Sequence, residues 1–363
     1  MKGMAGGIKP VLLLLCGLLA PVALHGADVR PDIRPGEGVS VQRPLSDYFA
    51  PLQGTNLDTT VYILDSGEPG ATALVMGGTH GNELAGMTAA QLLVENVLVR
   101  QGRLIVIPFT NRSALSVKDT RTGIAPLHAV QGRSGERIIR YGDRRTDIAD
   151  QGVEDPDEYK NPGGYVLENG AESRNLNRTW PGRADGTPTE QLSHALIRLI
   201  REEGVDFSLD MHEADTPERK EFEAGDYRPG ANKRLAYTLV SHSRGLETAA
   251  FALLEMEADT GISMKLEESN PNYRGLSHLE IAEHTDSLSF LSESPNPGQD
   301  RWRDDADVVA DRKYPLAHRA GMHLRLVRHL ADAYGDDSGK KLVMERLPEY
   351  EDLMSGGIGR YLN

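Results

Sequence analysis

The chain has 363 residues, of which 39% are hydrophobic and 6% aromatic, and its formal net charge is −14. This length and apolar content suffice for a globular core, and the negative charge argues against nucleic acid or an anionic membrane surface as the partner. The single cysteine, Cys16, lies in the first apolar run, so we expect no disulfide, no thiol catalysis and no cysteine metal ligand in the rest of the chain.

The first 26 residues have the pattern of a secretory signal peptide. Lys2 and Lys9 precede the apolar run PVLLLLCGLLAPVAL, which is shorter than the roughly 20 residues of a membrane span, and the small residues Gly26 and Ala27 follow it. We therefore expect cleavage near residue 26 and export to a periplasm or out of the cell, with no stable membrane anchor left. A retained anchor is the alternative.

The remaining chain divides into three parts. Residues 27–50 are rich in proline and charge and predict an extended lead-in, residues 51–340 predict the catalytic domain, and residues 341–363 predict a C-terminal tail. Within the domain, apolar runs of strand length alternate with amphipathic segments of helix length. This alternation predicts an α/β fold, a three-layer αβα sandwich with a mixed, largely parallel central sheet. The runs are TTVYILDSG, ATALVMGG, RLIVIPFTN, VDFSLDMH and DSLSFLSESP.

Three segments predict helices. The first follows Glu83, with Gln91 and Glu95 expected on its exposed side and Met87, Ala90, Val94 and Val97 on its buried side. The last is RAGMHLRLVRHLADAYG, residues 319–335. The second begins with a capping box and ends at Gly204. Its cap residues are Thr187, Pro188 and Glu190, and its buried stripe is Leu192, Leu196 and Leu199.

Residues suited to metal chemistry fall at strand ends. His80 and Glu83 follow the glycine-rich end of ATALVMGG, and His212 ends VDFSLDMH. A His-x-x-Glu spacing is expected by chance in a chain with 11 histidines, so its context must support it. Hydrolytic zinc takes three protein ligands, and without cysteine these must be His, Asp or Glu. Asp210, two residues before His212 on the same strand face, could orient a ligand histidine.

Two other charged clusters are open to a simpler interpretation. The segment LSHLEIAEHTD brings His278, Glu280, Glu283 and His284 together, either as a metal site or as a charged helix face. The segment RSGERIIRYGDRRTD, residues 133–147, is basic and predicts a solvated surface. The chain contains neither a serine-hydrolase elbow nor a glycine-rich nucleotide motif. In ESRNLNRTWPG, Asn177 and Arg178 supply an amide and a guanidinium that suit a substrate carboxylate.

The order of four motifs resembles the zinc carboxypeptidase-like superfamily. They are the loop GGTHGNE, the Asn-Arg pair followed by an aromatic residue and PG, the strand end DMH, and a late strand that ends in glutamate. The resemblance spans residues 73–295 and is strongest to the succinylglutamate desuccinylase/aspartoacylase family. It implies one Zn²⁺ ion held by His80, Glu83 and His212, a metal-bound water as nucleophile, and Glu293 as general base. It also implies that Asn177 and Arg178 bind the substrate carboxylate.

The sequence departs from that family at three places. Asn175 stands where the family usually has an aspartate that orients the first histidine, so either His80 is held less firmly or Asp210 compensates. Gly170 stands at the usual position of a carbonyl-polarising arginine, for which Arg174 and the arginines of residues 133–145 are the substitutes. A predicted helix follows Glu293 where the family has a β-rich domain, so we expect a more open cleft.

The implied activity is hydrolysis of an amide bond in an N-acyl amino acid or short peptide that carries a carboxylate. One alternative is a metallocarboxypeptidase that trims peptides, including cell-wall peptides. The other is a zinc-binding protein without catalytic activity.

Overall fold

A computed structural model describes residues 32–119, 122–217, 235–300 and 303–363. The expected signal peptide therefore lies outside the described residues. The strands, in chain order, are β1 (Val41–Pro44), β2 (Thr60–Asp65), β3 (Thr72–Gly77), β4 (Leu98–Gln101), β5 (Arg103–Ile107), β6 (Leu127–Gly132), β7 (Gly135–Arg140), β8 (Tyr159–Lys160), β9 (Val166–Leu167), β10 (Phe207–Ala214), β11 (Thr238–Ser241), β12 (Lys265–Glu268), β13 (Leu288–Pro295) and β14 (Val343–Glu345).

Eight of these strands form the central sheet, in the order β1-β2-β5-β3-β10-β13-β11-β12. The four central strands, β5, β3, β10 and β13, are mutually parallel. β2 runs antiparallel to β5 and β11 antiparallel to β13, so the sheet is mixed. The predicted α/β class is confirmed, and the five predicted strands are β2, β3, β5, β10 and β13.

The sequence did not predict the inner strand β11 or the strands at the sheet edges. β1 pairs with β2 inside the segment interpreted as a lead-in, and β12, of sequence KLEE, lacks an apolar pattern. The C-terminal residues 341–363 likewise contain β14, which pairs with β4. Edge strands are short and only partly buried, so their composition carries little signal.

Seven α-helices are described. They are α1 (Leu84–Asn96), α2 (Ile148–Gln151), α3 (Pro188–Glu202), α4 (Leu246–Thr260), α5 (Ser277–His284), α6 (Leu316–Ser338) and α7 (Tyr350–Gly356) within the described ranges. Leu74 and Met76 of β3 pack with Leu192 and Leu196 of α3 in one hydrophobic cluster. Because successive strand residues face opposite sides, the other face of the sheet is left for α1, which packs against α6.

The capping box of α3 is present as predicted. The Thr187 side chain accepts from the Glu190 backbone NH, and the Glu190 carboxylate accepts from the Thr187 backbone NH. The predicted stripe Leu192, Leu196 and Leu199 is fully buried. Local sequence therefore determines where this helix begins and which face it buries.

The predicted exposed side of α1 is wrong. Gln91 and Glu95 are buried, and the helix ends at Asn96, before Val97. Glu95 forms an ion pair with the buried Arg137 at 2.8 Å and also accepts a hydrogen bond from Gln91. Arg137 belongs to the basic segment, far from Glu95 in the sequence. Because it pairs with the Glu95 carboxylate, α1 can be buried on all sides. Arg137 also shows that this segment is not wholly a solvated surface.

Glycines let α1 approach the sheet closely. A Cβ on Gly86 would lie 2.2 Å from the Met211 carbonyl oxygen of β10, so no larger residue fits there. Gly78, just after β3, has a φ of 68°, in the left-handed region that glycine adopts at no steric cost. The loop between β3 and α1 therefore turns sharply, and it carries His80 and Glu83 beside the end of β10.

Candidate metal centre and active site

Three neighbouring parallel strands present the predicted metal ligands and Glu293 at or just after their carboxyl ends. β3 leads into the loop with His80 and Glu83, and β10 carries His212. In the register of β10 and β13, His212 lies opposite Glu293. Ligands gather at the carboxyl ends of strands in such sheets because helix starts and loops converge there.

His80, Glu83 and His212 form one buried cluster. Each is 1% exposed, and one ligand atom from each lies within 4.8 Å of the others. Glu83 lies between the two rings, with its Oε1 2.7 Å from His80 Nδ1 and its Oε2 2.9 Å from His212 Nδ1. Both Nδ1 atoms therefore point at one carboxylate.

The donor set fits a cation. Asn175 Oδ1 can only accept, so His80 donates from Nε2 over 2.9 Å, and a neutral His80 then turns the lone pair of Nδ1 towards Glu83. Burial, followed by the charge of Arg144, lowers the pKa of His80 to about 4, which keeps the ring neutral. Two acceptor atoms 2.7 Å apart need a proton or a metal ion between them. A metal ion with N, N and O ligands meets this requirement.

Nearby carboxylates act on the pKa of the second histidine. Burial would lower the pKa of His212, but the carboxylates of Asp210 and Glu83 outweigh it and raise that pKa well above its usual value. His212 Nε2 lies 2.9 Å from Asp210 Oδ2, although the two are not aligned for a hydrogen bond. Asp210 accepts from Thr79 Oγ1 at 2.8 Å and from Ser277 Oγ at 2.7 Å, which fix its position beside the ring.

Glu293 is held in a setting that favours proton exchange. Its side chain is 9% exposed, and its Oε2 has no hydrogen-bond partner among the described residues. Burial is the largest cause that raises the pKa of Glu293 to about 8, and the Glu83 charge adds to it while His212 and Arg144 oppose it. A buried carboxyl with a free oxygen beside a candidate metal cluster can accept and return a proton.

Asn175 precedes the short 3-10 helix Leu176–Arg178, so one short turn joins the residue bonded to His80 to the predicted carboxylate-binding pair Asn177 and Arg178. The Arg178 guanidinium lies 5.5 Å from the centre of the Tyr273 ring, and its Nε lies 3.8 Å from Glu172 Oε2. The pKa of Arg178 is lowered, and burial is the largest cause. A buried guanidinium whose nearest carboxylate lies beyond hydrogen-bond distance can still bind an anion. Asn177 Oδ1 accepts from the Ser277 backbone NH at 2.9 Å.

Arg174 is engaged elsewhere. Its guanidinium donates to both oxygens of Asp155 at 2.7 and 2.8 Å and to the Thr146 carbonyl at 2.7 Å. The family's arginine position is closed as well, because a Cβ on Gly170 would lie 1.5 Å from the Pro156 carbonyl oxygen. Arg144, from the basic segment, lies instead 3.6 Å from Glu83 Oε1. The structure therefore brings Arg144, and not Arg174, to the cluster.

Sequence reasoning missed the residues that support the cluster from the sides. Gln299 donates to Glu83 Oε1 at 3.2 Å, and the Glu213 backbone NH donates to Glu83 Oε2 at 3.2 Å. Glu172 accepts from Asn175 Nδ2 at 2.7 Å. In the sequence, Glu213 is next to His212 and Glu172 is close to the Asn-Arg pair, and this proximity is the one signal that could have identified these two residues. The contacts themselves join distant parts of the chain.

The rival cluster near residue 280 is part of the scaffold. Glu280 accepts from Arg274 at 2.7 and 2.6 Å and from the Gly275 backbone NH at 2.9 Å, and His284 lies 3.3 Å from it. Within the described ranges, the only group of three or more potential ligands placed to hold a metal is His80, Glu83 and His212. The described part of the chain also contains no helix both long and apolar enough to cross a membrane.

No family model matches the chain. The N-alpha-acetyl-L-2,4-diaminobutyric acid deacetylase of Halomonas elongata is 29% identical over 154 residues, which are 42% of this chain and 31% of that protein. The chain thus matches about a third of the length of this curated relative.

Solved structures with a similar chain path include the cell shape determinant protein Csd4 of Helicobacter pylori, a D,L-carboxypeptidase, with 15% identity and a TM-score of 0.47. That match covers 79% of this chain and 56% of Csd4. A succinylglutamate desuccinylase from a Silicibacter species is 17% identical, with a TM-score of 0.41, over 75% of this chain and 60% of that one. These similar proteins are named as a deacetylase, a D,L-carboxypeptidase and a succinylglutamate desuccinylase, in line with the predicted resemblance.

Proposed function

We propose that this chain, which is similar to the succinylglutamate desuccinylase/aspartoacylase family, is an exported zinc-dependent hydrolase that cleaves an amide bond in a carboxylate-bearing substrate. One observation carries the proposal. The carboxyl ends of β3, β10 and β13 bring together a buried His-Glu-His cluster and a carboxyl with a free oxygen, and the buried Arg178 lies 3.8 Å from Glu172, which is linked through Asn175 to His80.

The metal would be held by Nδ1 of His80, Nδ1 of His212 and the carboxylate of Glu83. When bound, zinc supplies Lewis acidity, which activates a water molecule and polarises a carbonyl group. Asn175 accepts a hydrogen bond from Nε2 of His80 at 2.9 Å, and the Asp210 carboxylate lies 2.9 Å from Nε2 of His212. This arrangement leaves both Nδ1 atoms turned inwards to the same point.

Glu293 moves the proton. A water molecule attacks the carbonyl carbon, Glu293 Oε2 takes up the proton that the water releases, and the same oxygen passes it to the amine nitrogen as the C–N bond breaks. The pKa of Glu293, raised to about 8 chiefly by burial, lies close to neutral pH. A group with such a pKa can both accept and return a proton, which this sequence of steps requires.

Two arginines divide the remaining work. Arg178, with the amide of Asn177 beside it, would bind the substrate carboxylate through planar, bidentate hydrogen bonds. Arg144, 3.6 Å from Glu83, would stabilise the negative charge that develops on the carbonyl oxygen.

A substrate panel tests this function. Purified protein, metal-free and reloaded with zinc, is assayed on N-acetyl and N-succinyl amino acids and on short peptides, each with a free and with an amidated C-terminus. We expect zinc-dependent hydrolysis of substrates with a free carboxylate. Cleavage of N-acyl amino acids supports the acylase, cleavage of peptides alone supports the carboxypeptidase alternative, and inactivity on the entire panel despite bound zinc supports the non-catalytic alternative.

Export is part of the proposal, supported by the apolar run behind Lys2 and Lys9. Expression of the full chain in a bacterial host, followed by fractionation and N-terminal sequencing, tests it. A mature protein that begins near residue 27 in the periplasm or medium is the expected result, and an intact N-terminus in the cytoplasm contradicts it.

A further inference from the structure

Glu172 lies where the metal cluster and the predicted carboxylate site meet. It belongs to the short 3-10 helix Gly170–Arg174 and its side chain is 14% exposed. Its Oε1 accepts from Arg145 Nη2 at 2.5 Å, and its Oε2 accepts from Asn175 Nδ2 at 2.7 Å. Arg178 Nε is 3.8 Å from the same Oε2.

Asn175 connects this carboxylate to the first candidate ligand. Its Nδ2 donates to Glu172, while its Oδ1 accepts from His80 Nε2 at 2.9 Å and from the Asn177 backbone NH at 3.1 Å. These three hydrogen bonds set the orientation of the amide group without ambiguity. Hydrogen bonds therefore connect the Glu172 carboxylate to the Asn175 amide and the Asn175 amide to the His80 imidazole.

The Glu172 carboxylate is ionised. Burial alone would raise the pKa of Glu172, but hydrogen bonds from Arg145 and Asn175 outweigh it and hold that pKa below its usual value. An ionised acceptor at 2.7 Å draws the amide proton towards itself, which increases the negative charge on Asn175 Oδ1. A more negative Oδ1 accepts a stronger hydrogen bond from His80.

We propose that Glu172 is a positioning residue that acts through Asn175 on His80. An aspartate at position 175 would place a negative charge directly behind His80, and Glu172 supplies that charge from one hydrogen bond further away. Metal-binding histidines usually donate their second N–H to a carboxylate or carbonyl group, and this partner fixes the ring and makes it a better ligand. The inference rests on the proposed function, because it takes His80 as a metal ligand. It accounts for a neutral amide at position 175 beside a buried carboxylate.

The first test measures zinc affinity. In Glu172→Gln the shape of the side chain is kept and the charge is lost, so we expect the zinc dissociation constant, from competition with a chromophoric chelator, to rise about tenfold. Glu168→Gln is the matched control, because Glu168 is an exposed carboxylate four residues earlier and its loss changes the net charge equally. The control should bind zinc as tightly as the parent.

The second test exchanges the two groups. The double variant Glu172→Gln/Asn175→Asp keeps the net charge and places the carboxylate directly behind His80, with an amide behind it. A positioning role predicts that this variant regains zinc affinity to within about threefold of the parent, whereas a purely structural contact between Glu172 and Arg145 would stay broken and give no recovery.

The outcomes separate this inference from the proposed function. A parent that binds no zinc overturns both. A parent that binds zinc, together with a Glu172→Gln variant of equal affinity or a double variant as weak as Glu172→Gln, overturns the role of Glu172 alone. If Glu172→Gln does not fold, as judged by circular dichroism, the double variant decides by itself, since tenfold weaker binding in it contradicts the proposal.

Discussion

Gln299 donates a hydrogen bond from its Nε2 to Oε1 of Glu83 over 3.2 Å, and a second from the same atom to the Glu213 carbonyl over 2.7 Å. The turn after β13 thus holds a candidate metal ligand that the loop after β3 presents. Together with the Glu213 backbone NH on Oε2, this bond fixes both oxygens of the Glu83 carboxylate.

Removing that bond should loosen the metal. We expect Gln299→Ala to weaken zinc binding about tenfold, because supports of ligating carboxylates contribute at that level. Chelator competition measures the effect, and Gln53→Ala, at an exposed position, is the control. Equal zinc affinity in Gln299→Ala and in the parent would show that Glu83 is held without this contact.

Glu293 and His80 should separate catalysis from metal binding. Glu293→Gln retains the shape of the side chain but cannot accept a proton, so we expect zinc stoichiometry to stay the same while kcat falls by about 10² to 10⁴. His80→Ala should instead lose zinc. Metal analysis of both purified variants, beside their hydrolysis rates, is the measurement, and full activity in Glu293→Gln contradicts its assignment as the base.

The two arginines should affect different kinetic constants. Arg178→Lys loses planar recognition of a carboxylate, so we expect KM to rise about tenfold or more with little change in kcat. Arg144→Ala should lower kcat by a similar factor with KM nearly unchanged, because it acts on charge that develops during the reaction. Arg198→Lys, in an exposed pair with Glu202, is the control. The reverse pattern would exchange the two assignments.

The buried pair Glu213 and Arg319 should matter for stability. Both side chains are fully buried, 2.5 Å apart, and Arg319 also donates to the Tyr314 carbonyl at 3.0 Å. Arg319→Met leaves a buried carboxylate without its cation, which costs about 3–5 kcal/mol in the free energy of unfolding. Urea denaturation measures it. A loss below about 1 kcal/mol, the level of an exposed pair, would show that Glu213 becomes protonated at little cost.

His318 should make stability depend on pH. Its ring lies between Tyr237 Oη at 2.9 Å and Tyr350 Oη at 2.8 Å, and burial, followed by Arg319, lowers its pKa from 6.5 to about 4. The unfolded chain therefore binds the proton more readily, and the free energy of unfolding falls as the pH drops from 6.5 towards 4. Above pH 6.5 this contribution is fully present.

His318→Gln removes the titration. Its free energy of unfolding should rise relative to the parent as the pH falls through that window, by up to about 3 kcal/mol. Urea denaturation of both proteins at several pH values measures this difference. The contributions of the other histidines are the same in both proteins and therefore cancel. Parallel pH profiles would contradict a lowered pKa at His318.

Much of the scaffold follows from local sequence. The apolar runs that became β3, β10 and β13 are buried on both faces of the sheet, so their composition is strongly constrained and easy to recognise. The capping box at Thr187 depends on residues three apart. His80, Glu83, His212 and Glu293 could be named because each lies at or near the carboxyl end of such a strand.

Contacts between distant segments could not be named in this way. Whether Arg144 or Arg174 faces Glu83 depends on how the long segment between β5 and α3 folds back, and Arg174 is taken up by Asp155. The enclosed α1 depends on Arg137 reaching Glu95, 42 residues earlier. Charged side chains of one type look alike in a sequence, and packing alone decides which of them finds a partner.

The sequence by itself determined the central strands, the capped helix and the residue types available at the strand ends, because periodicity and turn chemistry act over a few residues. Only the tertiary structure decided that Glu172 lies behind Asn175, that Gln299 reaches Glu83 and that Arg144 joins the cluster. Hydrogen bonds and ion pairs are short-ranged and directional, so these contacts exist only once the chain has folded.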